Sequence, residues 1–357
     1  MNNKSSNNDT AVLKSLKVTK AIWPVLIGLF VVIWMFLKEY QPGALQQLNT
    51  TKYAFLWLLV AFLCMIIRDF GYMLRIRILT DNRFTWLQSF RIIMLWEFTS
   101  AITPSAIGGT SLAILFVNKE GLSVGKSSAI VMATSFLDEL YFILVFPLLV
   151  LLVDQQLLFK TGGQPLSLNN KYLLLAMVGY SIKLIYLLVL SYGLFKNPRG
   201  LKWLLLMIFK LPFLRRWKHG ANAAGTEIIT SSVELRKKPF VFWLKAFAAT
   251  IFSWTSRFWV VNAMFLAFFS VSDHFLIFGR QLVMWIVMLV SPTPGGSGFV
   301  EYVFSHYLSD FIPIGPVLLP AIAVALAFLW RIISYYPYLI IGAIIVPRWI
   351  RQKFTKK

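Results

Sequence analysis

The chain has 357 residues, of which 58% are hydrophobic and only 14% are charged, which excludes an ordinary soluble domain and indicates an integral membrane protein. A formal net charge of +21 could indicate nucleic-acid binding, but most Lys and Arg residues lie between hydrophobic runs, where they mark membrane topology. The single cysteine, Cys64, excludes an internal disulfide, and three scattered histidines argue against a zinc site.

Six runs with little or no charge are long enough to span a bilayer, and we predict a helix over each: 21–37, 53–74, 127–153, 172–195, 240–269 and 316–346. The run at 21–37 follows a basic tail at 1–20 and has no cleavage site after it, so we expect it to be retained as a helix. The basic stretch 196–239 is typical of a cytoplasmic loop with an interfacial helix, within a single transmembrane domain at 21–347. A second basic tail follows at 348–357.

Two further apolar segments, 89–118 and 275–311, are each interrupted by proline and glycine. The first break contains Pro104, Gly108 and Gly109. The second lies in the string SPTPGGSGFVE and contains Pro292, Pro294, Gly295, Gly296 and Gly298. Because proline ends a helix and glycine lets the backbone turn, we predict two re-entrant hairpins. Helices that begin after Gly109 and Gly298 would present N–H groups to an anion, and the alternative is a packing kink without a ligand.

The distribution of Lys and Arg favours this interpretation. If both broken segments reverse within the membrane, six full spans remain, both termini are cytoplasmic, and every basic cluster lies on the cytoplasmic side. The first hairpin then enters from the cytoplasm and the second from outside. Counting every hairpin leg as a full span gives ten spans and fits the charges equally well, but the legs are short for that.

Matching residues at one constant offset along the chain indicate an internal repeat. The offset relates Arg68 to Arg257, Arg91 to Arg280, Trp96 to Trp285 and Gly109 to Gly298. We predict a duplicated unit of helix, broken hairpin and helix. With the topology above, the two copies are inverted, an architecture found in transporters whose site lies near the midplane of the membrane.

Several ionisable residues lie deep in the apolar runs, where a charge normally faces the protein interior. Arg257 and Arg331 are the best candidates to bind a phosphate, because a guanidinium stays charged and offers two parallel donors. Asp138, Glu139 and Glu301 could neutralise them, bind a cationic head group or carry a proton. The repeat adds Arg68, Arg91 and Arg280 to the head-group candidates. The alternative for each residue is a structural ion pair.

The strings TPSAIGGTSLAILFVNKEGLS, SPTPGGSGFVE and RIISYYPYLIIG resemble, in this order and spacing, the flippase-like transmembrane domain of the lysylphosphatidylglycerol synthase family, also called UPF0104. The resemblance implies a polytopic protein of the bacterial inner membrane that moves or handles anionic or aminoacylated lipids. Full-length synthases continue into a soluble aminoacyl-transferring domain, and the sequence ends at Lys357, so aminoacyl transfer is not expected from it alone. The sequence departs from the pattern of this family at SFLDEL around Asp138, where an arginine would be expected near the acid.

We therefore expect an all-α lipid flippase without a cofactor or metal, whose partners are membrane lipids and, in one alternative, a separate lipid-modifying enzyme. No nucleotide-binding GxxxxGK[ST] loop is present, so ATP hydrolysis by that route is not expected. The alternatives are a membrane-embedded enzyme of lipid or polyprenyl-phosphate-sugar metabolism, and a scaffold for such an enzyme.

Overall fold

The computed structural model describes residues 41–48, 52–103, 105–160, 169–197, 229–288 and 293–354, with a few further positions between 26 and 39 and at 167 and 199. Every regular element in these ranges is helical, which confirms the all-α prediction. The tail at 1–20, most of the predicted helix at 21–37, the predicted interfacial helix at 201–219 and the last three residues lie outside the described part of the chain.

The first half contains α1 (Lys52–Leu79), α2 (Trp86–Ile102), α3 (Ser105–Lys119), α4 (Val124–Leu152) and α5 (Lys171–Ser191), which a π-helical turn extends over Tyr192–Lys196. The second half contains α6 (Phe240–Phe268), α7 (His274–Val287), α8 (Phe299–Tyr307), α9 (Leu319–Ser334) and α10 (Tyr336–Phe354). In the described ranges, four stretches are long and apolar enough to cross a membrane: α1, α4, α5 with its π turn, and α9 with α10. The total of six spans stays a prediction.

The helix bounds repeat at the predicted offset. Shifting α1 by the spacing that separates Arg68 from Arg257 places it over 241–268, and α6 is observed over Phe240–Phe268. Shifted in the same way, the open ends of the first hairpin, Trp86 and Lys119, fall within one residue of those of the second, His274 and Tyr307. The duplicated unit inferred from a few matching residues therefore extends to the helices themselves.

The equivalent helices α1 and α6 pack against each other and run antiparallel. A Cβ atom on Gly71 would lie 2.3 Å from the Ser253 Oγ, so this glycine permits the close crossing. One turn further along α1, Arg75 donates to the Thr250 hydroxyl at 3.2 Å. A two-fold axis perpendicular to both helices produces this arrangement, and for helices that cross a membrane such an axis lies in the membrane plane. The packing fits the predicted inverted repeat.

The two hairpins open toward opposite ends of the bundle. The first, α2–α3, opens where α4 begins and α10 ends, and there the Trp349 indole donates to Glu120 at 3.0 Å. The second, α7–α8, opens where α4 ends, and there the Tyr307 hydroxyl donates to the Leu158 carbonyl oxygen. Their orientation relative to a membrane stays a prediction.

The first break is narrower than predicted. Helix α3 already begins at Ser105, so Gly108 and Gly109 lie within it, and the prediction that a helix begins after Gly109 is wrong. Gly109 instead lets the two legs approach, because a Cβ atom on it would lie 2.1 Å from the Ser100 Oγ. Pro104 and Pro292 lie outside the described residues.

The second break agrees with the prediction. A short 3₁₀ turn over Pro294–Gly296 precedes α8, which begins at Phe299. Gly295, Gly296 and Gly298 have φ angles of +58°, +71° and +85°, a region that side chains other than glycine rarely adopt.

A third break was not predicted. The run at 316–346 forms two helices separated at Tyr335, whose φ and ψ are −131° and −55°. The cause is Pro337, which has no N–H for a bond to the preceding turn but is tolerated in the first turn of a new helix. Helix α10 therefore begins at Tyr336.

Candidate functional site

The two hairpin tips meet inside the bundle, at a place we call the hairpin junction (Ala101, Gly295, Glu301, Arg331 and Tyr335). A Cβ atom on Gly295 would lie 2.8 Å from the Ala101 carbonyl oxygen and 2.6 Å from the Tyr335 ring. The Tyr335 hydroxyl donates to the same Ala101 oxygen at 3.0 Å. All three breaks therefore come together, and only glycine fits at position 295.

Arg331 braces the hairpin junction. Its Nε donates to Glu301 Oε1 at 2.7 Å, and its Nη2 donates to the Gly295 carbonyl oxygen at 2.8 Å. The other Glu301 oxygen accepts the Gly298 N–H at 2.7 Å. Arg331 is 4% exposed and Glu301 is 1% exposed. The charge of Arg331 is thus balanced, and the chain's own carboxylate caps the start of α8.

A second group of charges, the central ion cluster, lies where α1 crosses α6 and consists of Arg68, Asp69, Glu97 and Tyr338. Arg68 is fully buried and pairs with Asp69 at 2.9 Å and with Glu97 at 2.5 Å. The Tyr338 hydroxyl donates to the second Asp69 oxygen at 2.8 Å. The repeat in the sequence indicates Arg68 but neither of the two carboxylates. A usable signal was that a buried arginine requires a counterion, and that Glu97 directly follows Trp96, one of the residues matched by the repeat offset.

Arg257, the repeat equivalent of Arg68, lies beside this cluster, close enough to Arg68 and Glu97 to interact with them electrostatically. Its guanidinium carbon lies 4.2 Å from the centre of the Trp285 ring and 5.5 Å from that of Trp254. It is only partly buried, and within the described part of the chain it has no hydrogen bond and no ion pair. Arg68 binds both carboxylates, so the donors of Arg257 remain available to an anion.

A groove lies on the surface of α1 and α6, and Arg257 is not among its lining residues. Its volume is about 300 Å³, and it is lined by Cys64, Ile251, Phe252, Thr255, Ser256 and Trp259. Most of the lining is apolar, and the hydroxyls of Thr255 and Ser256 are its polar part. A groove of this composition suits a hydrocarbon chain with a polar group at one end.

The predicted acids on α4 lie in ion pairs between helices. Asp138 accepts from Arg75 of α1 at 2.5 Å and from the Trp254 indole of α6 at 2.6 Å. Arg75 thus supplies, from another helix, the arginine that is missing from SFLDEL. Glu139 pairs with Lys183 of α5 at 3.0 Å.

The remaining predicted arginines lie at the open ends of the hairpins. Arg91 pairs with Glu120 at 3.4 Å, and Arg280 pairs with Asp310 at 2.7 Å at the other end of the bundle. The predicted residues are therefore spread over the hairpin junction, the α1–α6 crossing, the α4 contacts and the two ends.

In the described ranges, no three side chains of His, Cys, Asp or Glu are grouped in a way that could hold a metal ion.

Comparison with known protein families shows which family the chain belongs to. Residues 21–342 match the family described as "Lysylphosphatidylglycerol synthase TM region". The chain belongs to this family. The matched range of the lysylphosphatidylglycerol synthase membrane region includes the hairpin junction, the central ion cluster and Arg257, and it confirms the resemblance read from the sequence.

A relative from an archaeon extends the comparison. The chain is 26% identical over 347 residues to a UPF0104 membrane protein of Archaeoglobus fulgidus, an alignment that covers 93% of this chain and 98% of that protein. No solved structure matches the chain. The family and the apolar helices together establish a multi-pass membrane protein with a lipid-related function.

Proposed function

We propose that the protein is a lipid flippase, which moves a phospholipid or lipid-phosphate across the membrane without changing it chemically. Arg257 binds the anionic head group, and the acyl or prenyl chains stay in the bilayer. The observation that carries the proposal is the guanidinium of Arg257, which has no acceptor among the described residues although it lies next to a cluster of ion pairs.

Energetics favour a ligand as the missing partner. A charged side chain at the bilayer centre costs at least about 2.5 to 3.5 kcal/mol, so such residues normally have a counterion. A phosphate on the lipid head group supplies that counterion and accepts two parallel hydrogen bonds from one guanidinium. Arg331, the other predicted phosphate ligand, is already paired with Glu301 and is assigned to the hairpin junction instead.

The opposed hairpins supply the pathway. Because each opens at a different end of the bundle and their tips meet at the hairpin junction, movement of one hairpin would open the centre to a head group from one end. The end of the first hairpin carries Lys126, Lys238 and Lys353, each in an ion pair there, and by the positive-inside rule this supports a cytoplasmic location for that end. We accordingly propose a bacterial inner-membrane location with both termini in the cytoplasm.

Reconstitution into liposomes tests this function. Vesicles would contain the purified protein and a fluorescent anionic phospholipid, and a membrane-impermeant quencher would report how fast the lipid reaches the outer leaflet. The wild type should accelerate this movement. Arg257→Ala should slow it at least about tenfold, because one charge-assisted contact to phosphate is lost. Lys245→Ala, which removes an exposed charge from the same helix, should not.

Each alternative predicts a different result. An embedded enzyme would change the mass of the lipid, which mass spectrometry of the same vesicles would detect. A scaffold would neither move nor change the lipid. If the wild type moves lipid and Arg257→Ala moves it equally fast, the function stands and the assignment of Arg257 is wrong.

A further inference from the structure

Each hairpin is held at its open end by one carboxylate that lies between two cations, an arrangement we call a latch. In the first latch, Glu120 binds Arg91 at 3.4 Å and Lys353 at 3.1 Å. The Trp349 indole donates to the other oxygen of Glu120 at 3.0 Å. The first latch therefore joins α2 and the end of α3 to the last turns of α10.

The second latch lies at the opposite end of the bundle. Asp310 binds Arg280 at 2.7 Å and Lys160 at 2.8 Å. Arg280 also donates to the carbonyl oxygens of Leu157, at 2.6 and 3.1 Å, and of Tyr307, at 2.8 Å. The second latch therefore joins α7 and the end of α8 to the segment that follows α4.

The two latches are related by the inverted repeat. Arg91 and Arg280 are equivalent positions of the repeat, and Glu120 shifted by the same offset falls one residue before Asp310. In each latch the hairpin belongs to one copy of the repeat, and the second cation belongs to the end of the other copy. A two-fold relation requires this reciprocity, since a contact from copy one to copy two implies the reverse contact at the other end.

The latches hold the hairpins where a ligand would have to pass. The hairpin tips close the centre of the bundle at the hairpin junction, with Arg331 and Glu301 as the brace. A head group that reaches Arg257 from one end must displace the hairpin that opens at that end. The charged contacts at the open end of that hairpin break in such a movement, whereas those of the other hairpin do not.

We propose that the two latches are a pair of gates, of which each controls access to the central site from its own end of the protein. The proposal rests on the proposed lipid transport and adds the device that separates the two access routes. Both latches are closed in the structure, which thus corresponds to an occluded state. Alternating access follows if only one latch opens at a time.

The two gates differ in strength. The Glu120 side chain is fully buried, whereas that of Asp310 is 46% exposed. Burial raises the pKa of Asp310, but the hydrogen bonds from Lys160 and Arg280 outweigh it and hold the pKa below its usual value. The second latch therefore stays charged at neutral pH, and water screens it more than the first. We expect the second gate to open more readily.

Cysteine labelling tests the gates without any measurement of lipid movement. In a Cys64→Ser background, Ser297→Cys places a thiol at the hairpin junction, where the serine is 2% exposed. A membrane-impermeant maleimide would be applied to inside-out and right-side-out membrane vesicles. The full-length reporter protein with both latches intact should react slowly from both sides.

Opening one latch should expose the thiol from one side only. Glu120→Gln should raise the labelling rate at least about tenfold from the face of the first hairpin, because it disrupts a buried ion pair. Asp310→Asn should raise the rate about fivefold or less from the opposite face, since its pair is half-exposed. Glu234→Gln, which removes the charge of an exposed ion pair at the first end, should change neither rate.

If Glu120→Gln does not fold, Lys353→Gln is the milder variant, because it leaves Glu120 bound to Arg91. Equal labelling from both faces in a latch variant, or unchanged labelling in folded variants of both latches, overturns the proposal. If the wild type moves lipid but the latch variants show unchanged labelling, the gates are refuted and the flippase function stands. One-sided labelling changes in a protein that moves no lipid would retain the gates and refute the transport function.

Discussion

Replacing Arg331 by alanine tests whether this residue is a brace or a ligand-binding group. The substitution leaves the Glu301 carboxylate, which is 1% exposed, with the Gly298 N–H but without its cation, and it removes the donor to the Gly295 oxygen. Breaking a buried ion pair by removing one partner costs about 3 to 5 kcal/mol. For 357 residues, an unfolding entropy of about 2.1 cal/mol/K per residue gives about 1.3 °C per kcal/mol, so we expect the apparent melting temperature to fall by about 4 to 7 °C.

Thermal unfolding of the purified protein in detergent, followed by size-exclusion chromatography, measures this shift. Arg348→Ala, which removes an exposed arginine from α10, should stay within about 1 °C of the wild type. The double variant Arg331→Met with Glu301→Gln should recover part of the loss, because no unpaired charge remains buried. An Arg331→Ala protein that melts within about 1.5 °C of the wild type, which corresponds to about 1 kcal/mol, would refute the brace.

Two further predictions concern the hairpins. Gly109→Ala should destabilise the protein by about 1 to 3 kcal/mol, because its Cβ would lie 2.1 Å from the Ser100 Oγ and 3.1 Å from the Ser100 Cα. In the same melting assay Gly315→Ala should be neutral within about 0.5 kcal/mol, since nothing lies near it. Ser100→Gly should partly rescue Gly109→Ala, because it removes the Ser100 Oγ and Cβ but leaves the Cα at 3.1 Å. A neutral Gly109→Ala contradicts the tight packing. Tyr335→Phe should lower the free energy of unfolding by about 1 to 3 kcal/mol, because it leaves the buried Ala101 carbonyl without its hydrogen-bond donor. An unchanged melting temperature would show that this hydrogen bond does not hold the hairpin junction.

The sequence predicted the elements of this protein better than the contacts between them. Hydropathy located the long helices, since a run that lies in lipid must be apolar along its whole length. Proline and glycine located the second break, where three glycines have positive φ angles. The repeat offset, inferred from pairs such as Arg68 and Arg257, reappears in the helix bounds of α1 and α6.

The errors have two physical causes. At the first break, Gly108 and Gly109 were interpreted as turn residues, but a glycine in a helix can equally serve close packing, and the sequence does not distinguish the two. At the third break, the apolar run around Tyr335 is continuous, and only Pro337 marks the interruption.

The ion pairs could not be predicted for a different reason. Arg75 with Asp138, and Arg68 with Glu97, join different helices, so each pair depends on how the helices are rotated and where they cross. Hydropathy indicates that a buried charge has a partner but does not identify it. For the same reason Arg257 and Arg331 were grouped as phosphate ligands although the structure gives only Arg331 a carboxylate.

The crossing of α1 with α6 has a consequence for biosynthesis. Helix α1 and its contact surface on α6 are separated by the long stretch of chain from Leu79 to Phe240. At about 5 to 20 residues per second, a ribosome needs roughly 10 to 30 s to make the intervening chain. During that interval the half-finished protein exposes the surface around Gly71 to lipid or to a chaperone, so neither half is expected to be stable when it is expressed alone.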